Sequence, residues 1–502
     1  MTNTLVFLAN AFAFAVGISV LVIVVLFIID VSQTKDAVRK NYPVVGRFRY
    51  LFSTLGEFFR QYFFAMDREE MPFNRAQREW INKSSEGHDN TVAFGSTKVL
   101  NTTGSFIFAN AAFPSLDTHS TETASLTIGA GARNPYHPNS VFNISGMSYG
   151  ALSRPAIRAL SKGAKLANCW YNTGEGGLSE MHLEGGCDLV FQIGTAKYGV
   201  RDEDGKLSDD KLREVAAHEN VRMFELKLAQ GAKPGNGGML PGVKVSEEIA
   251  KIRGIPVGED SISPNRHPEI DSVQSLLDMI GHIREVTGKP VGFKTVLGAK
   301  KWLEELCEEI HKRGIACAPD FITIDSGDGG TGAAPMPLID NVGVLLFESL
   351  PILVDILREY GLQERVRVIS SGKLVTPADV AWALCAGADY VVSARGFMFA
   401  LGCIQAMKCN KNNCPTGITT HNKRLQKGLD PAEKSVRVKN FVERMRYGLG
   451  LIAHSCGVSS PRDLSRHDVR IVQSNGLSVH LDEFFPDMDT RKEYLAANVR
   501  SK

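Results

Sequence analysis

Residues 366–396 read VRVISSGKLVTPADVAWALCAGADYVVSARG. The two short apolar runs, VRVISS and YVVSA, lack the polar alternation of a half-exposed strand, so each reads as a strand buried on both faces. Between them lie a glycine turn, SGK, and a helix-like stretch from Pro377 to Ala386. Strand, turn, helix and strand in that order form a parallel βαβ unit.

The same theme recurs from Thr118 onward. Further runs begin at 141 (VFNIS), 169 (CWYNT), 188 (DLVFQI), 221 (VRMFELK), 290 (PVGFKTV) and 321 (FITIDS), with helical stretches such as Pro155 to Leu166 and Trp302 to Arg313 among them. Eight buried strands with intervening helices predict an α/β fold, a (β/α)8 TIM barrel, with an open doubly wound sheet as the alternative. The interval 228–289 is the least regular part.

In such a barrel the chemistry belongs at the carboxyl ends of the strands. Here each strand is followed by a glycine or small-residue turn: GMSYG, GEGG, GTAKYG, GAKPGNGG, GAKK, GDGGTGAAP, SGK and ARG. The last two supply Ser371, Gly372 and Lys373, then Ala394, Arg395 and Gly396, at the strands where barrels frequently bind phosphate. A phosphate-bearing cofactor is the ligand they predict.

The 502 residues carry a formal net charge of +2 and no concentrated basic face, which gives no reason to expect nucleic acid. The start differs from the rest. Leu5 to Ile29 form an uncharged run that, at roughly 1.5 Å per helical residue, reaches about 37 Å and can span a bilayer. A cleaved signal peptide is the rival, but MTNT carries no Lys or Arg and no small-residue cleavage site follows. Lys35, Arg39, Lys40, Arg47, Arg49 and Arg60 then predict a single-pass anchor with the catalytic body in the cytoplasm. Residues 1–30 are thus expected to be the anchor and 31–117 a juxtamembrane helical segment, with Phe58, Phe59, Tyr62 and Phe63 available to the membrane interface. The barrel is expected over 118–400, followed by a cysteine motif and helical tail over 401–502.

Within LGCIQAMKCNKNNCPTG (401–417), Cys403, Cys409 and Cys414 are three of the nine cysteines. A reducing compartment argues against disulfides, and the spacing is not the paired C-x-x-C of most zinc sites. Pro415 follows the last thiol, as a proline does in bacterial ferredoxin runs. From the residues alone inert buried thiols are the default, with iron–sulfur ligation and Zn as the other readings.

Two motifs point elsewhere. Gly146-Met-Ser148-Tyr-Gly150 fits a hydrolase nucleophile elbow, but its histidine would have to be His421 or His454, both beyond the last strand. Gly327-Asp-Gly329-Gly330-Thr-Gly332 matches G-x-G-x-x-G, but Pro335 and Pro337 interrupt the helix that a dinucleotide site requires.

Taken together, SGMSYGALS, NTGEGG, KLAQGAKPGNGG, DSGDGGTGAAP and LGCIQAMKCNKNNCPTG resemble, in the same order, the flavin-binding synthase domain of glutamate synthase, over roughly Asn143 to Thr420. In layout the chain resembles the short FMN-binding branch of that family. The resemblance implies FMN with its ring over Ser145, Met147, Ser148, Thr173 and Gln192, beside Lys294, Asp325, Gly329 and Gly330. The phosphate would sit on Gly372, Lys373, Ala394, Arg395 and Gly396. It implies Lys294 at the flavin edge, Glu175 as acid/base or ammonia-orienting carboxylate, and Lys227, Lys233 and Arg253 as binders of the carboxylates of 2-oxoglutarate or a related keto acid. Reduced FMN would deliver hydride to the imine formed with ammonia or an amine. The three thiolates would hold a [3Fe-4S] cluster that passes electrons from ferredoxin or a membrane donor. The tail then reads as a helical iron–sulfur extension.

Departures from the family pattern are Met239, with Asn236, in GNGGMLPG, and Gln274 where a glutamate near the ammonia route is common; both bear on the keto acid. No glutaminase is expected, so nitrogen would come as ammonia, another amine or from a separate subunit. A flavin-binding membrane adaptor without amination activity and a serine hydrolase using Ser148 are the other readings.

Overall fold

In the computed structural model, which describes residues 2–116 and 123–486, all eight apolar runs become strands. They are β1 (Phe142–Ile144), β2 (Tyr171–Asn172), β3 (Leu189–Ile193), β4 (Val221–Lys227), β5 (Val291–Val296), β6 (Phe321–Asp325), β7 (Arg367–Ser371) and β8 (Tyr390–Ser393). Each pairs in parallel with the next, and β8 returns to β1 through Val391 opposite Phe142, so the sheet closes into a barrel. Closure leaves no strand edge with unpaired N–H and C=O groups, which rules out the open-sheet alternative.

The helical intervals lie where the spacing places them. Helix α1 (Arg154–Ala167) follows β1 and is capped by Ser153, whose side chain accepts from the Ala156 N–H. Helix α2 (Pro377–Cys385) follows β7 with a Thr376/Asp379 capping box and Pro377 in its first turn. Helix α3 (Arg395–Ala400) leads directly off β8. The irregular interval after β4 is an excursion in which Met239–Leu240 pairs with Ser261–Ile262 around the short helix Glu247–Arg253. That excursion carries Arg253 back over the barrel mouth.

Beyond the cysteine loop, helix α4 (Pro431–Ser455) lies against α1. A Cβ on Gly163 of α1 would come 2.5 Å from Val438 Cβ, so glycine is what lets the two helices approach. Phe441 of α4 is fully buried and sits edge-on to Phe142 and Phe397, at 5.6 and 5.3 Å between ring centroids. Burial of this kind stabilises by about 2 kcal/mol per aromatic ring and makes α4 part of the barrel body.

The segments before and after the barrel are not purely helical, as the sequence reading had them. Phe106–Phe108 pairs antiparallel with Val469–Val472, which pairs in turn with Ser478–His480. A three-residue strand carries too little alternation to announce itself, and its partner lies more than 350 residues away. The expected boundary at 117/118 and the end of the tail from 487 fall outside the described residues.

Residues 1–76 form a separate compact unit. Its first helix contains an apolar span, Asn3–Ser32, long enough to cross a bilayer. Asp30, in the last turn of that helix, accepts from Arg39 at 2.6 Å and Arg47 at 2.7 Å.

Candidate functional site

The carboxyl ends of the strands surround a cavity of about 190 Å³. Ser145, Met147 and Ser148 enter it from the β1 turn, Gly174 and Glu175 from the β2 turn, and Gln192 from β3. Lys227 and Lys233 come from β4 and its turn, Lys294 from β5, and Asp325 and Gly330 from β6 and its turn. Gly372 and Lys373 follow β7, and Ala394 and Arg395 follow β8. Three residues named from the motifs lie behind this lining. Thr173 is fully buried, its hydroxyl donating to the Gly174 carbonyl. Gly329 faces the Ser326 carbonyl and Gly231, and Gly396 faces Ser393 and Phe441.

Two glycines are demanded by geometry. Gly174 has φ +65°, and a Cβ there would lie 2.6 Å from the Ser148 nitrogen. Gly372 has φ +124°, with a Cβ position 2.5 Å from that of Ser326. Both turns thus pack so closely against neighbouring backbone that no side chain fits there.

One half of the cavity is cationic. Lys227 Nζ lies 2.7 Å from Glu175 Oε1. Burial would raise the Glu175 carboxyl, but Lys227, with Lys233 and Arg253, brings it below its ordinary value. Burial pushes Lys233 and Arg253 down. The Arg253 guanidinium donates to Ser261 Oγ and the Tyr149 carbonyl and lies over the Tyr198 ring, while its buried Nε has no partner. A buried cation on the cavity wall suits an anionic ligand. Lys294, on the strand beside that of Lys227, pairs with Asp325 at 2.9 Å. Burial lowers an isolated ammonium, but Asp325, Glu225 and Glu175 hold Lys294 above its ordinary value.

The phosphate-type turns carry their own charges. Lys373 reaches Asp328 at 2.7 Å. Arg395 donates to the Thr331 carbonyl and comes within 3.6 Å of Cys409 Sγ, joining the β6 turn to the cysteine loop.

All nine cysteines are free thiols. Cys409 reaches the cavity wall, Cys414 is buried, and Cys403 Sγ accepts from the Gln405 N–H at 3.5 Å. Burial raises Cys403, whereas Cys414, despite burial, is brought below its ordinary value by hydrogen bonds such as that from Thr416. Lys244, missed by the motif reading, is buried at the same wall and donates to the Ala151 and Cys409 carbonyls at 2.9 and 3.1 Å. Its place in LPGVK was the available signal.

Gln274 corrects an expectation. It sits exposed at the start of an outer helix, 3.4 Å from Glu309, and not in the cavity. Its residue type therefore says nothing about an ammonia route. Met239 does line the cavity. The hydrolase reading lacks its base: His421 Nε2 donates to the Gly150 carbonyl at 2.9 Å, and among the described residues no histidine is hydrogen-bonded to Ser148. Elsewhere His467, His480 and Asp482 bring ligand atoms together. The two rings stack in parallel, 4.4 Å apart and 2° from coplanar orientation, so no ion can lie in both ring planes.

The chain is a closed parallel (β/α)8 barrel whose mouth combines glycine turns, paired lysines and a buried arginine. The chain belongs to the glutamate synthase family: the family described as "Conserved region in glutamate synthase" matches residues 104–459. A Bacillus subtilis (strain 168) protein described as "Glutamate synthase large subunit-like protein YerD" is 40% identical over 496 residues, covering 91% of this chain and 94% of that protein. An "Archaeal-type glutamate synthase (NADPH)" of Thermotoga maritima is 33% identical over 333 residues, covering 66% of this chain and 62% of that relative. Among solved structures, mandelate oxidase with (S)-4-hydroxymandelic acid has a TM-score of 0.46 at 15% identity, over 79% of this chain and 91% of that one.

Proposed function

We propose that this chain is an FMN- and iron–sulfur-dependent oxidoreductase of the glutamate synthase type. It would convert 2-oxoglutarate or a related keto acid, with ammonia or another amine, two electrons and two protons, into the amino acid and water. The observation that carries this reading is the convergence of Lys227, Lys233 and Arg253 on Glu175 in the cavity that also holds Lys294. Three cations around one carboxylate leave net positive charge for a dianionic substrate.

FMN fits the residues present. The close-packed glycine turns at Gly174 and Gly372 line the cavity, and Lys373 and Arg395 stand at the turns where its phosphate would be held. When bound, FMN supplies the hydride for imine reduction. The chain itself would orient the substrate carboxylates through Lys227, Lys233 and Arg253, and would move the proton at the substrate nitrogen through Glu175 Oε1. Lys294, ion-paired with Asp325, would set the charge beside the ring. Cys403, Cys409 and Cys414 fit a three-thiolate cluster, the softness of sulfur suiting iron. Electrons would arrive from ferredoxin or a membrane donor.

The test is flavin reoxidation. Anaerobically reduced protein should be reoxidised on adding 2-oxoglutarate with ammonium; failure with every keto acid tried would overturn the amination reading. Met239 on the cavity wall makes more apolar keto acids part of that panel.

Asn3–Ser32, followed by basic residues, supports a single-pass anchor with the body in the cytoplasm. Removing residues 1–32 should move the protein from the membrane pellet to the supernatant. A truncated form that still pellets with lipid would contradict the anchor.

A further inference from the structure

Glu225 lies in β4 on the floor of the barrel mouth, 3% exposed, and the motif reading did not single it out. Its Oε1 accepts from Asn172 Nδ2 at 2.8 Å and Gln192 Nε2 at 2.7 Å, and its Oε2 accepts from Thr323 Oγ1 at 2.6 Å. Four strands, β2, β3, β4 and β6, thus converge on one carboxylate. Such a group can only accept, so it decides which way its amide partners turn. Asn172 agrees independently: its Oδ1 is taken by the Gly174 N–H at 2.9 Å, which leaves only Nδ2 for Glu225.

The consequence falls on Gln192. With Nε2 committed to Glu225, its Oε1 is the atom left for the cavity that Gln192 lines, and no hydrogen bond among the described residues occupies it. We infer that Glu225 is a positioning residue that fixes Gln192 as a hydrogen-bond acceptor, so that the site selects a ring carrying an imide N–H at that edge, as the flavin ring does. This rests on the proposal that the cavity takes FMN. The carboxylate also adds negative charge to the Lys294–Asp325 pair, the hollow beneath the cavity being lined by Glu225 and Lys294 together. Its removal therefore favours the reduced, more negative flavin.

The experiment measures FMN dissociation constant and reduction potential for the full-length holoprotein and for E225Q, Q192L, the E225Q/Q192L double variant and T323V. Glu225→Gln should weaken binding of oxidised FMN by roughly tenfold or more, since the charge-assisted hydrogen bonds that hold Asn172 and Gln192 become neutral ones and the Thr323 hydroxyl must turn to accept, and should move the potential positive. In the Q192L background the same change should add little to the loss of binding, because the acceptor it positions is gone. Thr323→Val, which removes a single hydrogen bond, should give a smaller weakening of the same sign and serves if E225Q does not fold. Unaltered affinity and potential in E225Q, or in T323V where that is the variant read, would overturn the inference, as would independent multiplication of the E225Q and Q192L effects. Wild-type protein that takes up no FMN would overturn the parent proposal and the inference together, a result visible before any variant is made.

Discussion

Glu175→Gln should lower the turnover number for keto-acid amination by about 10² to 10⁴, the usual range for losing a positioned acid/base group, with FMN content unchanged. The geometry singles out this carboxylate. Glu175 is clamped between two glycines: a Cβ on Gly194 would lie 2.6 Å from Glu175 Cβ, and one on Gly238 2.6 Å from its Oε1. It is therefore held in one rotamer, facing Lys227 at 2.7 Å. Burial opposes its charge, but the surrounding cations hold its carboxyl below the ordinary value, so it is a carboxylate at neutral pH. Such a group can take a proton from an incoming ammonium and hold it near the substrate nitrogen. The same direction of shift sets the pH dependence. Activity that needs the carboxylate should persist as pH falls through the usual glutamate range and decline only below it. Gln keeps the shape and removes both the base and the partner of Lys227. A turnover number within tenfold of wild type would remove Glu175 from the mechanism.

The second large effect is expected from Cys414→Ser: iron and acid-labile sulfide should fall to background while flavin is retained. Turnover driven by an external donor should be lost, yet chemically reduced flavin should still be reoxidised by substrate. Serine oxygen is a poor ligand for iron that thiolate holds well. Cys414 is the one of the three thiols whose hydrogen bonds favour the thiolate. Cys409 joins that loop to the cavity wall, with Arg395 spanning from its sulfur to the β6 turn. Iron retained by C414S, or zinc as the metal of the wild type, would overturn the cluster assignment.

Much of this site was legible because its signals are local. Glycine turns such as NTGEGG and SGK follow apolar runs within a few residues, and the cysteine spacing is contained in 401–417. Thr173 and Gly396 show the limit. Both stand in the right turns, yet a turn presents some atoms to the cavity and others to the core, and only backbone direction separates them. Gln274 shows a stronger one: it follows an irregular excursion, where position along the chain no longer tracks position around the barrel.

By itself the sequence determined the eight-strand order, the turns that line the cavity, the apolar helix at the start and the spacing of the three cysteines, since periodicity and spacing act over a few residues. Only the tertiary structure decided that Arg253 swings over the mouth, that Lys244 ties the cysteine loop to the β1 turn, that Phe106–Phe108 pairs with Val469–Val472, and that Glu225 gathers Asn172, Gln192 and Thr323. In a strand buried on both faces the pattern of apolar residues does not say which side chains point inward. A buried charge takes its role from partners that chain closure brings to it from far along the sequence.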